Sequence, residues 1–431
     1  MAPFHIRSIL GSTDNLNSEF IDQWTNPTDI FSLLLLIGGD TVQKAIAQLV
    51  GIRMPLTKGK NSFGILLTPV AFSFGWVAYA FTSLKDLVGE GSLMPESDIP
   101  CQVINCSTGY SRNVRSWILG RVLRDHQNRN RVNRKEVAIQ IDIFDAVDQK
   151  KPDIDLIWWS SWATILIQQV IAAIPWLLYG DWTKSLVTLC GTAGALAVGM
   201  FPQWENEKWA ARRLEGKSGD KGKLKTKITA LTRGNGHPHV MVFINKGYGW
   251  DVEGMASASC DGKLITRYLS LLMTIWWTLL LITCSGLRHN TWYLVCIGGL
   301  GMLQNIFVSG VPRDMGSFNF HYKHRSRIAG VRKPKTEIKE AEDSDPEDIE
   351  NPLQSIGGVM GAMMEVEKKF PGVGASLVTV FFPAGFGYDD GNFHFARERK
   401  FWKFAHQTMK ERKREMEEAE KLGIASGVVT S

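Results

Sequence analysis

Two long uncharged stretches, separated by only four residues, constrain this chain more than any other feature of its sequence. Residues 156–180 and 185–204 contain no charged side chain, and only Asp181, Trp182, Thr183 and Lys184 lie between them. An α-helix rises ~1.5 Å per residue, so roughly 20 apolar residues cross a hydrocarbon core of ~30 Å. Each stretch reaches that length, and the link is too short for a folded domain. The sequence therefore predicts a transmembrane helical hairpin in an integral membrane protein.

Four further segments extend this prediction to about six transmembrane helices. Residues 61–84, 268–287 and 290–312 are uncharged, whereas Asp40 and Lys44 interrupt the first segment, residues 30–52, and make it a marginal span. Many of the fifteen Trp lie at segment ends, and an amphipathic ring at such a position favours the bilayer interface. The expected fold class is an α-helical integral membrane protein.

The alternation of apolar and charged stretches predicts the domain organisation. In chain order we expect a polar N-terminal segment (1–26), a first transmembrane pair (27–84), a cytosolic loop (85–153), a second transmembrane hairpin (154–204), a basic cytosolic loop (205–267), a third transmembrane hairpin (268–312) and a cytosolic tail (313–431). The two long loops have mixed α/β character. Arg115–His126 has the pattern of a helix, with Arg121, Arg124 and Asp125 opposite its apolar face. Val137–Phe144 alternates with period two and His239–Ile244 is short and apolar, so both predict strands.

The tail divides into three parts. Residues 337–350 contain eight acids in fourteen positions, which predicts disorder. Residues 371–388 are uncharged but rich in Gly, and we interpret them as an interfacial or re-entrant segment rather than a seventh span. Residues 393–422 predict a charged helix.

The distribution of Lys and Arg predicts the orientation. Basic residues concentrate on the cytosolic side of membrane proteins. With both termini in the cytosol, 43 of the 49 Lys and Arg lie on that side. We therefore expect a multi-pass protein with both ends cytosolic; the sequence does not indicate which membrane holds it.

Motifs for catalysis, cofactors and metals give no positive prediction. Gly216-Lys217-Ser218 lacks the upstream Gly of a phosphate loop. The pairs His237/His239 and His321/His324 have no adjacent Cys or carboxylate set, and Asp142, Asp145 and Asp148 fit a strand end that leaves for water. Cys101 and Cys106 form the one close cysteine pair, for which we favour small buried side chains over a disulfide. We therefore assign no catalytic, cofactor-binding or metal residue.

Asp40 and Lys44 are the candidate functional residues inside a span. An ionisable side chain costs ~2.5–3.5 kcal/mol at the centre of an inserted helix, so it is usually paired or faces a wet interior. The spacing of four residues places both on one helix face. The hypothesis is an intramembrane pair that marks the functional centre; the alternative is that both residues sit in interfacial water.

Several stretches resemble a family of filamentous-fungal multi-span membrane proteins. The resemblance lies in residues 27–49 (PTDIFSLLLLIGGDTVQKAIAQL), 67–81 (LTPVAFSFGWVAYAF), 110–125 (YSRNVRSWILGRVLRD), 172–209 (AAIPWLLYGDWTKSL…FPQWENEKW) and 230–243 (ALTRGNGHPHVMVF). It covers roughly residues 27–320. It implies a fungal multi-pass membrane protein, carries no assigned activity and transfers no catalytic residue.

Two classes of function remain open. A transport or scaffold protein is favoured because polar residues within the predicted spans are few; the alternative is a membrane-embedded enzyme acting on a lipid or lipophilic metabolite. The expected partners are the lipid bilayer, anionic lipid at the cytosolic face and proteins that bind the tail. Nucleic acid is not expected, because anionic lipid lies next to the basic loops and attracts each Lys or Arg by ~1 kcal/mol.

Overall fold

The computed structural model describes residues 38–55, 64–89, 91–214, 226–258, 262–287, 289–332, 358–383 and 396–421. The helices are α1 (Gly39–Leu49), α2 (Gly75–Gly89), α3 (Trp117–Arg129), α4 (Leu156–Tyr179), α5 (Thr183–Gly199), α6 (Pro202–Lys208), α7 (Val252–Ala256), α8 (Leu264–Ser285), α9 (Thr291–Gly310), α10 (Gly358–Lys369), α11 (Val373–Phe381) and α12 (Ala396–Lys421). The strands are β1 (Arg53–Pro55), β2 (Gly64–Leu66), β3 (Gln102–Asn105), β4 (Ser111–Asn113), β5 (Val137–Ala146), β6 (Lys227–Thr232), β7 (His239–Asn245) and β8 (Tyr322–Val331).

The chain divides into two compact units that interleave along the sequence. Unit 1 consists of Met1–Pro95, Pro152–Lys208 and Cys260–Val311, and unit 2 of Glu96–Lys151, Trp209–Ser259 and Pro312–Ser431. Unit 1 therefore collects the apolar segments, and unit 2 collects most of the two long loops and the tail.

Three helices of unit 1 are long and apolar enough to cross a membrane: α4, α8 and α9. A fourth candidate is the pair α5 and α6, which is bent by 45° at a short break. Asp155 caps the start of α4 by accepting a hydrogen bond from the Trp158 amide, and Gly180 ends this helix in a left-handed conformation. A membrane protein is thus indicated, with three or four candidate spans in the described residues rather than six.

The first predicted pair of spans differs most from expectation. In the first, the described residues form the 11-residue helix α1. The second, predicted over residues 61–84, is not one helix: β2 is followed by a mostly buried segment, residues 67–73, that forms neither helix nor strand, and only then by α2. Uncharged composition allows burial in a membrane unit, but it does not require that the backbone be helical.

Side-chain amides from α4 and α9 form hydrogen bonds with this segment. Gln168 Nε2 donates to the carbonyl oxygens of Phe72 at 2.7 Å and Ile297 at 2.8 Å. Asn305 Nδ2 donates to the Ala71 carbonyl oxygen and to Ser73 Oγ, both at 3.1 Å. These bonds provide partners that a helix would otherwise supply internally, which is the condition for irregular backbone at membrane depth.

Two glycines of α9 allow close approach to the same segment. A Cβ on Gly301 would lie 1.8 Å from the Phe72 carbonyl oxygen, and one on Gly298 would lie 2.2 Å from the Phe74 ring. Gly299, which lies next to Gly298 in the sequence, faces open space among the described atoms. The packing role therefore belongs to Gly298 and Gly301.

Unit 2 is built on a six-stranded sheet with the order β4-β3-β6-β7-β5-β8. Neighbouring strands are antiparallel except β5 and β7, which run parallel. The strands come from both long loops and from the tail. β5 and β7 include the two segments predicted as strands and extend them slightly.

The apolar face of the sheet forms the core of unit 2. Ile139, Ile141 and Ile143 of β5 pack in one buried cluster with residues of β7, α10, α11 and α12. The α11 residues Val373, Leu377 and Val378 belong to this cluster. The interpretation of residues 371–388 as interfacial or re-entrant is therefore wrong for its described part, because that apolar surface is covered by the sheet and by α10.

Helix α3 lies on the opposite face of the sheet and is buried on both of its own sides. Its apolar residues are buried as predicted, but Arg121 is 0% exposed and Asp125 is 2% exposed. Arg121 forms ion pairs of 3.2 Å with Asp98 and Asp125. The face opposite the apolar residues is therefore buried at these positions, and neighbouring carboxylates neutralise the guanidinium inside the unit.

Some expectations fall outside the described residues, namely the polar segment 1–26 and the acidic segment 337–350. Cys101 and Cys106 are both buried and free, so no disulfide joins them. The tail helix predicted for 393–422 corresponds in position to α12.

Candidate functional site

The candidate site centres on the carboxylate of Asp142, in the middle of β5. Alternation along this strand places Gln140, Asp142 and Phe144 on the face opposite the isoleucines. The strand register sets Gln140 beside His239 of β7, and it sets Asp142 beside Arg327 of β8. The last turn of α3 brings His126 to the same place. One face of the sheet thus collects polar residues from three strands and a helix.

Four side-chain donors surround the Asp142 carboxylate, which is 0% exposed. Oδ2 lies 2.8 Å from His126 Nε2 and accepts from Gln140 Nε2 at 2.6 Å. Oδ1 accepts from Arg327 Nε at 2.6 Å and lies 3.3 Å from His324 Nε2. Burial alone would raise the pKa of Asp142, but the hydrogen bonds from His126, Arg327 and Gln140 hold it well below its usual range. The group is therefore a carboxylate at neutral pH.

A second layer of contacts fixes the His126 ring. Its Nδ1 lies 3.3 Å from Asn130 Nδ2, and Arg327 donates from its terminal nitrogen to Asn130 Oδ1 at 2.9 Å. Because Asn130 Nδ2 is a donor, this contact fits an imidazole that carries its proton on Nε2, facing Asp142. His126, Asp142, Arg327 and Asn130 form a closed ring of hydrogen bonds.

His239 completes the cluster from β7. It is 5% exposed, and its Nδ1 is buried without a hydrogen-bond partner among the described residues. One ligand atom each from His126, Asp142 and His239 lies within 4.8 Å of the other two. Burial, and then the neighbouring His126, lower the pKa of His239 to about 4, so its imidazole is neutral at pH 7.

An open pocket of about 510 Å³ lies against this cluster, lined by His126, Asn130, Phe144, His324 and Arg327. The Phe144 ring packs edge-on to both imidazoles, with centroids 5.6 Å from His126 and 5.4 Å from His324. Every lining residue that can be charged is basic. The Asp142 carboxylate lies behind this wall and is paired with Arg327, so the pocket favours an anionic ligand.

The structure combines residues that the sequence analysis had considered separately and dismissed. The solvated strand end proposed for Asp142 is wrong, because the residue is mid-strand and buried. His239 and His324 come one from each of the two histidine pairs, whereas His237 and His321 stay outside the cluster. His126, Gln140 and Arg327 were missed. The available signal was the period-two alternation of β5, which puts Asp142 opposite three isoleucines.

Asp40 and Lys44 lie in unit 1 and form the expected pair. Lys44 Nζ is 3.0 Å from Asp40 Oδ2, and the side chains are 34% and 72% exposed, respectively. Residues 1–37, which precede this helix, are outside the described part of the chain. The hypothesis that the pair marks a functional centre stays a prediction.

Comparison of the chain with protein-family models, with curated proteins and with solved structures found no match. The functional conclusion therefore depends on the geometry of the site.

Proposed function

We propose that this chain is a membrane scaffold protein in which unit 1 is the anchor and unit 2 is a cytosolic domain that binds a phosphate-bearing ligand. The observation that carries the proposal is the pocket wall of Arg327, His324 and His126 in front of a buried, fully hydrogen-bonded carboxylate. Guanidinium groups favour phosphate because their planar fork donates two parallel hydrogen bonds.

The sheet of unit 2 supports the placement of both long loops and the tail on the same side of the membrane. Strands that are hydrogen-bonded in one sheet lie on one side of a bilayer, and this sheet takes strands from residues 102–146, 227–245 and 322–331. This arrangement supports an even number of crossings between these segments. The concentration of Lys and Arg supports the cytosol as that side and both termini with it. It also supports anionic lipid as a neighbour.

Contacts inside unit 1 favour a scaffold over a transporter. Polar residues of the candidate spans form hydrogen bonds inside the unit. Gln168 and Asn305 donate to backbone carbonyl oxygens of residues 67–73, and Gln304 Nε2 donates to Ser160 Oγ at 2.9 Å. Side chains used in this way stabilise an anchor, whereas a transport path needs polar groups that are available to a substrate.

Arg327 can bind the ligand while it keeps its structural bonds. Nε is committed to Asp142 and one terminal nitrogen to Asn130, and the side chain is still 43% exposed. The remaining N–H groups and the 45% exposed His324 are therefore available to an anion in the pocket. The phosphate could belong to a soluble metabolite or to a lipid headgroup, and the two sources require separate tests.

Calorimetric titration of the full-length protein in nanodiscs of neutral lipid tests the proposal. Inorganic phosphate and glycerol 3-phosphate represent soluble ligands, and nanodiscs containing a phosphoinositide represent the headgroup. A charge-assisted hydrogen bond contributes ~1.5–3 kcal/mol, so Arg327→Gln should weaken binding by about 10- to 100-fold. Arg327→Lys, which keeps the charge beside Asp142, should show an intermediate loss.

Arg325→Gln is the matched control. Arg325 lies on the same strand and is 44% exposed, but it pairs with Asp145 and stacks on Phe370 instead of lining the pocket. Equal loss of binding in the Arg325 and Arg327 variants would show that only diffuse positive charge attracts the anion. Absence of binding by all probes to the parent protein would refute the proposal.

A second proposal is an enzyme acting on a lipid or lipophilic metabolite. The 2.8 Å contact between His126 and Asp142 favours it, because a carboxylate that orients an imidazole is a common element of acid–base sites. The scaffold proposal is preferred, since the described lining of the pocket contains no nucleophilic side chain.

A further inference from the structure

We infer that His126, Asp142 and His239 bind a divalent transition-metal ion, with Zn²⁺ as the reference ion. This inference goes beyond the proposed function, because it concerns a different ligand and does not require phosphate binding. Imidazole nitrogen and carboxylate oxygen are the donors that Zn²⁺ takes besides thiolate. Three protein ligands leave one position for water or another ligand, and His126 also lines the pocket.

The unpartnered nitrogen of His239 is the observation that points to a ligand. A buried polar atom without a partner is unfavourable, so it requires an explanation. His239 is 5% exposed, and Nδ1 has no hydrogen bond among the described residues, although each Asp142 oxygen beside it has two donors nearby. With its proton on Nε2, the His239 imidazole offers the Nδ1 lone pair to a cation.

The fold holds the three ligands on rigid elements. Asp142 and His239 lie on the parallel neighbours β5 and β7, where the register pairs His239 with Gln140, two residues before Asp142 on the same face. His126 comes from the last turn of α3. Ligand atoms about 2.1 Å from one ion are at most ~4.2 Å apart, and these three lie within 4.8 Å of one another. Small side-chain movements therefore bring all three into coordination.

Binding exchanges the hydrogen bond between His126 and Asp142 for coordination bonds from all three ligands. In the free site the His126 Nε2 proton faces Asp142 Oδ2. When an ion takes this place, the imidazole carries its proton on Nδ1, and the Asn130 amide turns its oxygen toward that proton, which gives up the bond from Arg327 to Asn130 Oδ1. Arg327 and His324 remain on Asp142 Oδ1 and hold the carboxylate in place. Such outer contacts typically change metal affinity 10- to 100-fold when removed.

Metal titration of the tag-free, chelator-treated protein in nanodiscs tests the inference. Co²⁺ is added while the visible absorption of its d–d bands is recorded, and Zn²⁺ is then used to displace it. We expect one ion per chain and an absorption spectrum typical of Co²⁺ with a low coordination number. His239→Gln and His126→Asn should each weaken binding by about 100-fold or more, since loss of a ligand should exceed the 10- to 100-fold loss typical of an outer contact.

His237→Gln is the matched control, because it removes an imidazole two residues from His239 that lies outside the set. It should bind Co²⁺ like the parent protein. Near-ultraviolet circular dichroism checks that each variant is folded, and the two ligand variants, on different elements, report on the same site independently.

The outcomes separate this inference from the proposed function. No stoichiometric Co²⁺ or Zn²⁺ binding to the parent protein, or equal loss in the His237 and His239 variants, overturns the metal site. A smaller loss of metal affinity in Arg327→Gln than in the two ligand variants, together with lost phosphate binding, supports both assignments. Absence of phosphate binding with metal binding intact refutes the proposed function alone.

Discussion

Substitution of Gly301 by alanine should destabilise unit 1, because this position faces backbone that cannot move aside. The added Cβ would lie 1.8 Å from the Phe72 carbonyl oxygen and 2.7 Å from Gln168 Nε2. Helix α9 or residues 67–73 must then shift by more than 1 Å before the added Cβ reaches an ordinary van der Waals distance from the Phe72 oxygen. Overpacking of a filled interior costs ~1–3 kcal/mol.

The same shift disturbs the hydrogen bond from Gln168 to Phe72, worth a further ~0.5–1.5 kcal/mol. The sum is about 2–4 kcal/mol. For a unit of this size each kcal/mol lowers the melting temperature by about 2–4 °C, so a decrease of about 5–15 °C is expected. Intrinsic tryptophan fluorescence during heating of the detergent-solubilised protein measures it, since Trp277 and Trp204 are buried in unit 1.

Gly299→Ala is the control on the same helix. Its Cβ meets open space, and replacing Gly by Ala inside a helix improves propensity by up to ~1 kcal/mol. The melting temperature should stay the same or rise slightly. Gln168→Leu should also destabilise unit 1 and should combine with Gly301→Ala less than additively, because both act on the Phe72 carbonyl. Equal melting of the Gly301 and Gly299 variants would refute the description of this contact.

Three further predictions concern orientation, the span pair and pH. Asn105 begins an N-x-S sequon and donates from Nδ2 to Glu253 at 2.9 Å. It should stay unglycosylated when the protein is made in a eukaryotic secretory host. A glycan at Asn105, detected as a gel shift on endoglycosidase treatment, would contradict a cytosolic unit 2. If Asp40 and Lys44 form a buried intramembrane pair, Lys44→Met lowers the folded yield on size exclusion and added Asp40→Leu partly restores it; a single mutant with parental yield would exclude burial. Burial raises the pKa of Asp251, but the hydrogen bond and charge of Lys227 outweigh this effect and lower that pKa. The ionised Asp251 therefore stabilises unit 2 above about pH 4, and this stabilisation is lost as the pH falls through the depressed pKa. Lys227→Met should therefore reduce the melting temperature of unit 2 at pH 7 and lose this difference once the pH falls below the depressed pKa; a difference independent of pH would contradict the assignment.

The elements that the sequence predicted correctly are those defined by local pattern. Residues 156–180 are uncharged over a membrane length, and α4 occupies nearly the same range. The alternation of isoleucines in residues 137–143 identified β5 because period two fixes which side chains share a face. The buried side of α3 was recovered in the same way.

The errors arise where distant parts of the chain decide the environment. Residues 61–84 lack charge, but part of this stretch is not helical. Gln168 and Asn305, far along the chain, provide the hydrogen bonds to its backbone carbonyl oxygens that a helix would otherwise supply. Asp142 was assigned to water because three of its four donors come from other elements, α3 and β8, and the two on β8 lie more than 180 residues away. No local pattern contains the strand order that joins β5 to both β7 and β8.

That strand order also determines when the protein can finish folding. β5 is synthesised before α4 and α5, β7 after them, and β8 only after α8 and α9, yet β5 needs both strands as neighbours. During translation both edges of β5 therefore stay unpaired until β7 is made, and the edge that pairs with β8 stays unpaired until α8 and α9 are made. Exposed strand edges of this kind promote aggregation and are typical clients of chaperones. Folding of unit 2 is thus coupled to completion of unit 1: a chain arrested before α9 would carry an incomplete sheet and be subject to quality control.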